Sequence, residues 1–349
     1  MKRSLGWLAP LCFAAIAVVF PFVAGAYPLA IGRSVLTYMA LAVSWDILLR
    51  SGQVSFGIAG FFGIGAYAAI LTALNGWLSP ILSILFAGVF AALIAFLLGF
   101  IILRLRATYF SITTLALAEI FRVIIHNGGD FTGGPEGQVL PQVIFGGDAR
   151  ALYWLVLAVV FIACLASTFF ERSKLRFALT AIRNNETSAK SSGISILKYL
   201  MIAFVASSFI QGLVGGIQVQ GYGFATPDSV FDANYTLLPL AMALLGGIYS
   251  TPGPVIGALL LGIVAEFLKL KIPYGHLVVY GIIIILVILF MPQGLYGLFK
   301  KWRRRSTSGS AAGGDGGAGG VGGAGSAGGG AAAGGGTGPA QTQKEAAHA

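Results

Sequence analysis

Two ionisable residues stand inside the apolar run LALAEIFRVII: Glu119 and Arg122. Spaced i, i+3, they fall on one side of a helix and can form an ion pair. Charged groups within a membrane helix are costly and ordinarily face the bundle interior. The pair admits three readings: a structural salt bridge, a polar lining for a solute path, or an Arg122 that merely lies near the outer interface. The other reactive residue types are not arranged for bond chemistry. Cys12 and Cys164 both lie in apolar runs, with neither metal-ligand spacing nor a disulfide framework available to them. His126, His276 and His348 are scattered, and none sits in a metal or triad pattern. The string TGGPEG at 132–137 is not a phosphate loop, because no Gly-Lys-Ser/Thr follows it. With no nucleotide-binding motif in the chain, any use of ATP must come from another subunit. A membrane-embedded enzyme would need a nucleophile, a metal or an acid–base cluster at depth, and the sequence supplies none.

A second group is defined by smallness rather than charge. Gly57, Gly60, Gly63 and Gly65, with Ala59 and Ala66, recur through RSGQVSFGIAGFFGIGAYAAILTAL. In lipid, close contact between helices comes from such residues, so this run reads as a tightly packed helix. Its glycines could equally let backbone groups line a narrow path for a small polar solute. The turn formers Gly133, Gly134 and Pro135 in HNGGDFTGGPEGQ predict a tight turn after the Glu119 run.

These residues must be positioned by membrane helices. The chain has 349 residues, of which 57% are hydrophobic and only 10% charged, and its mean hydropathy is +0.86. Soluble domains average about a quarter charged residues. Apolar segments fall at about 7–26, 30–49, 53–74, 79–103, 108–126, 151–170, 197–220, 236–249, 253–268 and 274–292, and spanning a bilayer takes roughly 20 such residues. The fold class is an all-α, polytopic transmembrane helical bundle. A β-barrel would show short alternating segments instead. The formal charge of +10 is gathered into a few short loops and the two chain ends. That is the positive-inside pattern rather than a nucleic-acid surface. The N-terminal MKRSLGWLAPLCFAAIAVVFPFVAGA has the outline of a signal peptide, but its long apolar stretch and the spans that follow read as an uncleaved first helix.

Charge also sets the parity. Lys2, Arg3, Arg50, Arg104, Arg106, the 171–198 segment and the KKWRRR cluster at 300–305 are all expected in the cytoplasm. This requires about ten crossings, including a short one at 236–249, with both termini inside. Lys269 and Lys271 then face outside. GGIYSTPGP at 246–254 breaks the helices at that short crossing, and non-helical backbone at membrane depth must be covered by protein or a water-filled cavity. Residues 1–305 form the membrane domain. Residues 306–349 hold about a third of the chain's 50 glycines and have almost nothing to bury against the cost of ordering, which predicts a disordered cytoplasmic tail.

The largest polar interruption is ERSKLRFALTAIRNNETSAKSSGISILK at 171–198. Phe177, Ala178, Ala181 and Ile182 follow helical spacing, and Gly193 supplies a stop. The segment predicts a short cytoplasmic helix with one apolar face, suited to docking in a groove or to lying as a solvated surface helix.

Five strings in this order resemble the permease subunits of bacterial ABC importers for branched-chain amino acids, the LivM type. They are SGQVSFGIAGFFGIGAYAA (51–69), RLRATYFSITTLALAEIFR (104–122), FTGGPEG (131–137), AIRNNETSAKSSGIS (181–195) and LAMALLGGIYSTPGPVIGALLL (240–261). The resemblance covers roughly residues 30–300. It implies the ABC importer permease fold in a bacterial inner membrane, in contact with lipid and not with nucleic acid. A second homologous permease subunit, two cytoplasmic ATP-binding subunits and a periplasmic substrate-binding protein are the implied partners. ATP and Mg would be bound by those partners, leaving no cofactor in this chain. The stretch around Arg183, Glu186, Ala189 and Gly193 looks like the family's coupling helix, with Glu186-Thr187-Ser188-Ala189 in place of the usual Glu-Ala-Ala run. Gly57, Gly60, Gly63, Glu119 and Arg122 are candidates for the translocation path. Related permeases serve urea, short amides and aromatic acids, so the substrate class stays open. A stand-alone secondary transporter is the reading from a different class.

Overall fold

Long apolar runs with few internal breakers leave the backbone only one way to satisfy its polar groups in lipid, which is the α-helix. The computed structural model describes residues 15–105, 107–271, 281–282, 285 and 294–297. After a helical stretch at 15–23 (α1) come α2 (Ala26–Leu49), α3 (Ile58–Leu74), α4 (Pro80–Ile102), α5 (Ala107–His126), α6 (Ala149–Arg172), α7 (Lys174–Asn184), α8 (Glu186–Ser191), α9 (Ile196–Tyr222), α10 (Pro227–Val230), α11 (Asn234–Gly246) and α12 (Pro252–Lys271). Six of these, α2, α4, α5, α6, α9 and α12, contain stretches long and apolar enough to cross a membrane, and α3 is a shorter apolar helix. Among the described residues the sheet is confined to β1 (Gln138–Val139) and β2 (Phe224–Ala225), an antiparallel pair with Gln138 opposite Ala225. Contacts divide the chain into Met1–Arg303 and Arg304–Ala349. The expected tail at 306–349, the basic cluster at 300–305, the start of the 7–26 run and most of the 274–292 run lie outside the described residues, as do Cys12, His276 and His348.

Of the six long apolar helices, α9 is the most enclosed, and it packs against α2, α3, α4 and α6. Small residues set its approach. A side chain at Gly65 would collide with the backbone of Gly212, and one at Gly215 with the carbonyl oxygen of Phe62. The α3 and α9 backbones are therefore in direct contact. Polar side chains tie the same helices together. Ser207 donates to the Ser44 carbonyl of α2 at 2.8 Å, Gln220 Nε2 donates to Ser83 Oγ of α4 at 2.9 Å, and within α9 Gln211 Nε2 donates to Ser207 Oγ at 2.9 Å.

Contacts between loops sort the chain into two ends. At the first, Arg50 bonds Ser167 near the close of α6, and Gly52 packs against Arg183 of α7. At the second, Arg33 of α2 lies over the Tyr222 ring at the close of α9, β1 joins β2, and Arg122 bonds Asp228 of α10. Helices α2 and α6 thus run from the second end to the first, while α5 and α9 run the other way. Arg50 and the 171–198 segment share the first end.

The segment at 236–249 folds as the 13-residue α11. At 1.5 Å per residue that is about 20 Å, short of the ~30 Å hydrocarbon thickness. The chain before it covers the difference. Phe231 lies beside Gly63 and stacks with Tyr67, and the Thr236 hydroxyl accepts from Ala59 N at 3.0 Å. Residues 226–233 thus descend along α3 before α11 begins, and Thr236 in its first turn still touches α3. The start of α3 is broken in a matching way. Residues 53–57 are non-helical, and hydroxyls from other elements answer their backbone groups. Phe56 N donates to Thr114 Oγ1 at 3.1 Å, and Ser111 Oγ donates to the Val54 carbonyl at 2.6 Å. This is interior non-helical backbone covered by protein.

Candidate functional site

At the first end, α6 stops at Arg172, and Ser173 turns the chain (φ −85°, ψ 171°) into α7. The amphipathic spacing is real, but the face that the structure buries is Ala178, Leu179 and Ile182. Phe177, expected on that face, is 76% exposed. The segment also forms two helices rather than one. Asn185, extended at φ −159°, ends α7 and caps α8 by accepting from Ser188 N at 3.0 Å. Glu186 occupies the first turn of α8, where a carboxylate complements the helix dipole. Ala189 is the buried residue of α8. Its carbonyl accepts from Ile194 N at 3.1 Å across the turn at Gly193, whose φ of +79° requires a residue without Cβ strain.

Next to this segment lies a cluster that sequence reading missed. Asp46, with no exposed surface, sits in the last turn of α2, and Arg50 follows it at i+4. Asp46 Oδ2 accepts from Arg50 Nε at 3.0 Å and from Nη2 at 2.9 Å. Arg50 Nη1 donates to the Ser167 carbonyl at 2.9 Å and Nη2 to Ser167 Oγ at 2.6 Å, with Glu171 Oε1 3.6 Å away. The guanidinium is thus paired and hydrogen-bonded, as a buried charge must be. The turn between α11 and α12 is held by the same carboxylates. Tyr249 N donates to Asp46 Oδ1 at 2.6 Å, and Thr251 N to Glu171 Oε1 at 2.7 Å. Finally, the Arg183 guanidinium of α7 lies 3.8 Å from the centre of the Tyr249 ring, a cation–π contact. The available signal was the i, i+4 acid–base spacing. It is hidden because Asp46 is a lone acid in an apolar run and Arg50 reads as a topology marker.

At the second end, the Glu119–Arg122 pair forms as its spacing predicts, Nε to Oε2 at 2.8 Å. A further partner, Asp228 of α10, accepts from Arg122 Nη1 at 2.8 Å. All three side chains are exposed on the chain surface, beside the exposed Ile120, Val123 and Ile124. The turn expected at Gly133–Pro135 is present as a short 3-10 turn, Gly134–Glu136, with Gly133 at φ +77°. Gly57 and Gly60 face Thr114 and Ala118 of α5, and Gly63 faces Phe231. The structure therefore brings the glycine run and the helix carrying the ion pair into contact, while Arg183, Glu186, Ala189 and Gly193 gather at the opposite end.

A protein-family profile described as "Branched-chain amino acid transport system / permease component" matches residues 27–288. The chain belongs to this family. The permease is 30% identical over 314 residues to the high-affinity branched-chain amino acid transport system permease protein LivM of Escherichia coli (strain K12), covering 80% of this chain and 72% of that one. It is 29% identical over 286 residues to the probable branched-chain amino acid transport permease protein LivM of Methanocaldococcus jannaschii, covering 73% and 81%. The LivH permease protein of E. coli (strain K12) is 27% identical over 285 residues, covering 75% and 91%. No solved structure matches significantly. The matched range takes in the Asp46–Arg50 cluster, α7–α8 and the Glu119 pair, so both ends of the permease belong to the shared family fold.

Proposed function

We propose that the permease is the membrane-spanning subunit of an ABC importer that moves branched-chain or related amino acids across the inner membrane, driven by separate ATPase subunits. The observation that carries this reading is the α7–α8 segment, seated by Ala178, Leu179, Ile182 and Ala189 and joined through Arg183 to the turn before α12. A membrane protein that works alone has less use for such a handle. Arg183, Glu186, Ala189 and Gly193 form the docking element for an ATP-binding subunit, and ATP and Mg belong to that partner. A second permease and a periplasmic binding protein complete the assembly. The substrate class is supported by the names of the relatives, which are branched-chain amino acid permeases.

Glu119 and Arg122, with the nearby Gly57, Gly60 and Gly63, border the translocation path. Charged groups exposed on a membrane helix cannot face lipid cheaply. A wet path, the companion permease or the outer interface of the membrane therefore meets them. The full chain makes ten crossings with both termini in the cytoplasm, and the 306–349 tail is dispensable for transport.

Proteoliposomes holding this permease, its companion and both ATPases are expected to accumulate labelled leucine from its binding protein only when ATP reaches the ATPases. Equal uptake without the ATPase subunits would establish a secondary transporter instead. Uptake of urea in place of leucine would move the substrate class to short amides. The topology has its own check. A cysteine introduced as Lys190→Cys should resist an impermeant thiol reagent applied from the periplasm, and rapid labelling from that side would overturn the scheme.

A further inference from the structure

We propose that Tyr249 is the positioning residue through which α7 moves α12, so that the turn at 247–251 transmits ATPase motion to the membrane helices. This inference rests on the importer reading above. Three observations meet at this residue. Its ring is the surface against which Arg183 of α7 lies, at 3.8 Å. Its backbone N–H is held by the fully buried Asp46 at 2.6 Å. Its φ of +65° is a left-handed conformation, and only one other described non-glycine residue shares a positive φ. Such a conformation is strained for a residue with a Cβ and persists where the surroundings over-determine it.

The surroundings do so from two helices at once. Asp46 of α2 and Glu171 of α6 each accept one backbone N–H of the turn, from Tyr249 and from Thr251. Ser167 Oγ bonds both Arg50 Nη2 and Thr251 Oγ1, at 2.6 and 2.8 Å, which closes the ring of contacts. Helix α12 starts at Pro252, directly after this grip. Before it, Gly247 at φ +116° breaks the helix, and Gly246, Gly253 and Gly257 bring the α11 and α12 backbones into direct contact. A few residues that absorb a change in φ and ψ are what a hinge requires. The grip is made by backbone groups, and the link to α7 by one aromatic face. A displacement of α7 therefore reaches α12 through the Tyr249 ring, alongside its direct packing on α6 and α9.

The test uses the complete complex in proteoliposomes and measures leucine transported per ATP hydrolysed, together with retention of the ATPase subunits. In Tyr249→Leu the aromatic face is lost. The variant is expected to keep both ATPases bound and hydrolysing within twofold of the parent, while substrate moved per ATP falls at least tenfold. Tyr249→Phe keeps the face and is expected to match the parent ratio. A parental ratio in Tyr249→Leu overturns the proposal. So does release of the ATPases, which would make Tyr249 a docking residue, and so does an equal loss in Tyr249→Phe, which would make the hydroxyl the active part. A parent complex that shows no ATP-dependent uptake sinks the importer reading itself, and this inference with it.

Discussion

Asp46→Leu is expected to destabilise the permease by about 3–5 kcal/mol, because removing one partner of a buried ion pair strands the other. Arg50 would retain the Ser167 oxygens, but its nearest remaining carboxylate is Glu171 at 3.6 Å. Tyr249 N would lose its acceptor as well, and an orphaned buried amide adds about 1–3 kcal/mol. Thermal unfolding of the detergent-purified protein, followed by loss of monodisperse material on gel filtration, reads the effect. The double variant Asp46→Leu/Arg50→Leu should recover part of the loss, since it removes the stranded guanidinium while Tyr249 N stays without its acceptor. A single variant that melts together with the parent would show that water or lipid headgroups already reach the site.

The second large effect is steric. In Gly215→Leu the new Cβ meets the Phe62 carbonyl oxygen, with Ala66 N at 3.1 Å behind it. Neither is the flexible end of a side chain, so α3 and α9 must separate. Overpacking of this kind costs about 3 kcal/mol or more, and the expected outcome is loss of properly inserted protein from the membrane fraction. Gly25→Ala serves as the control. Nothing lies within 4 Å of the added Cβ there, so it should stay within about 0.5 kcal/mol of the parent. Equal expression of Gly215→Leu and Gly25→Ala would refute the backbone contact.

The helical membrane class was legible because hydropathy is a sum over long windows, and single residues barely disturb it. The Glu119–Arg122 pair and the stop at Gly193 were legible because each depends on neighbours in sequence. The other features depend on distant ones. The missing depth of α11 is supplied by residues 226–233 folded along α3, which no local pattern announces. The burial of Leu179 in place of Phe177 follows from where α7 sits on the bundle, since both residues fit a helical stripe. Asp228 joins Arg122 across 106 positions, and Tyr249 reaches Asp46 across 203. The Asp46–Arg50 spacing was visible, but its burial was not. Burial is what turns an ordinary helix-end pair into the anchor of a turn.

The broken start of α3 has a consequence for how the chain is made. Ala59 N is capped by Thr236, which lies 177 positions later. Synthesis delivers the N-terminal part first, so during translation this amide has no access to its final acceptor. Until α11 arrives, the front of α3 must stay near water, be shielded by the insertion machinery, or borrow another oxygen. One late step in maturing this permease is therefore the arrival of a late hydroxyl at an early gap, and truncations before residue 236 should be recognised by quality-control proteases as unfinished.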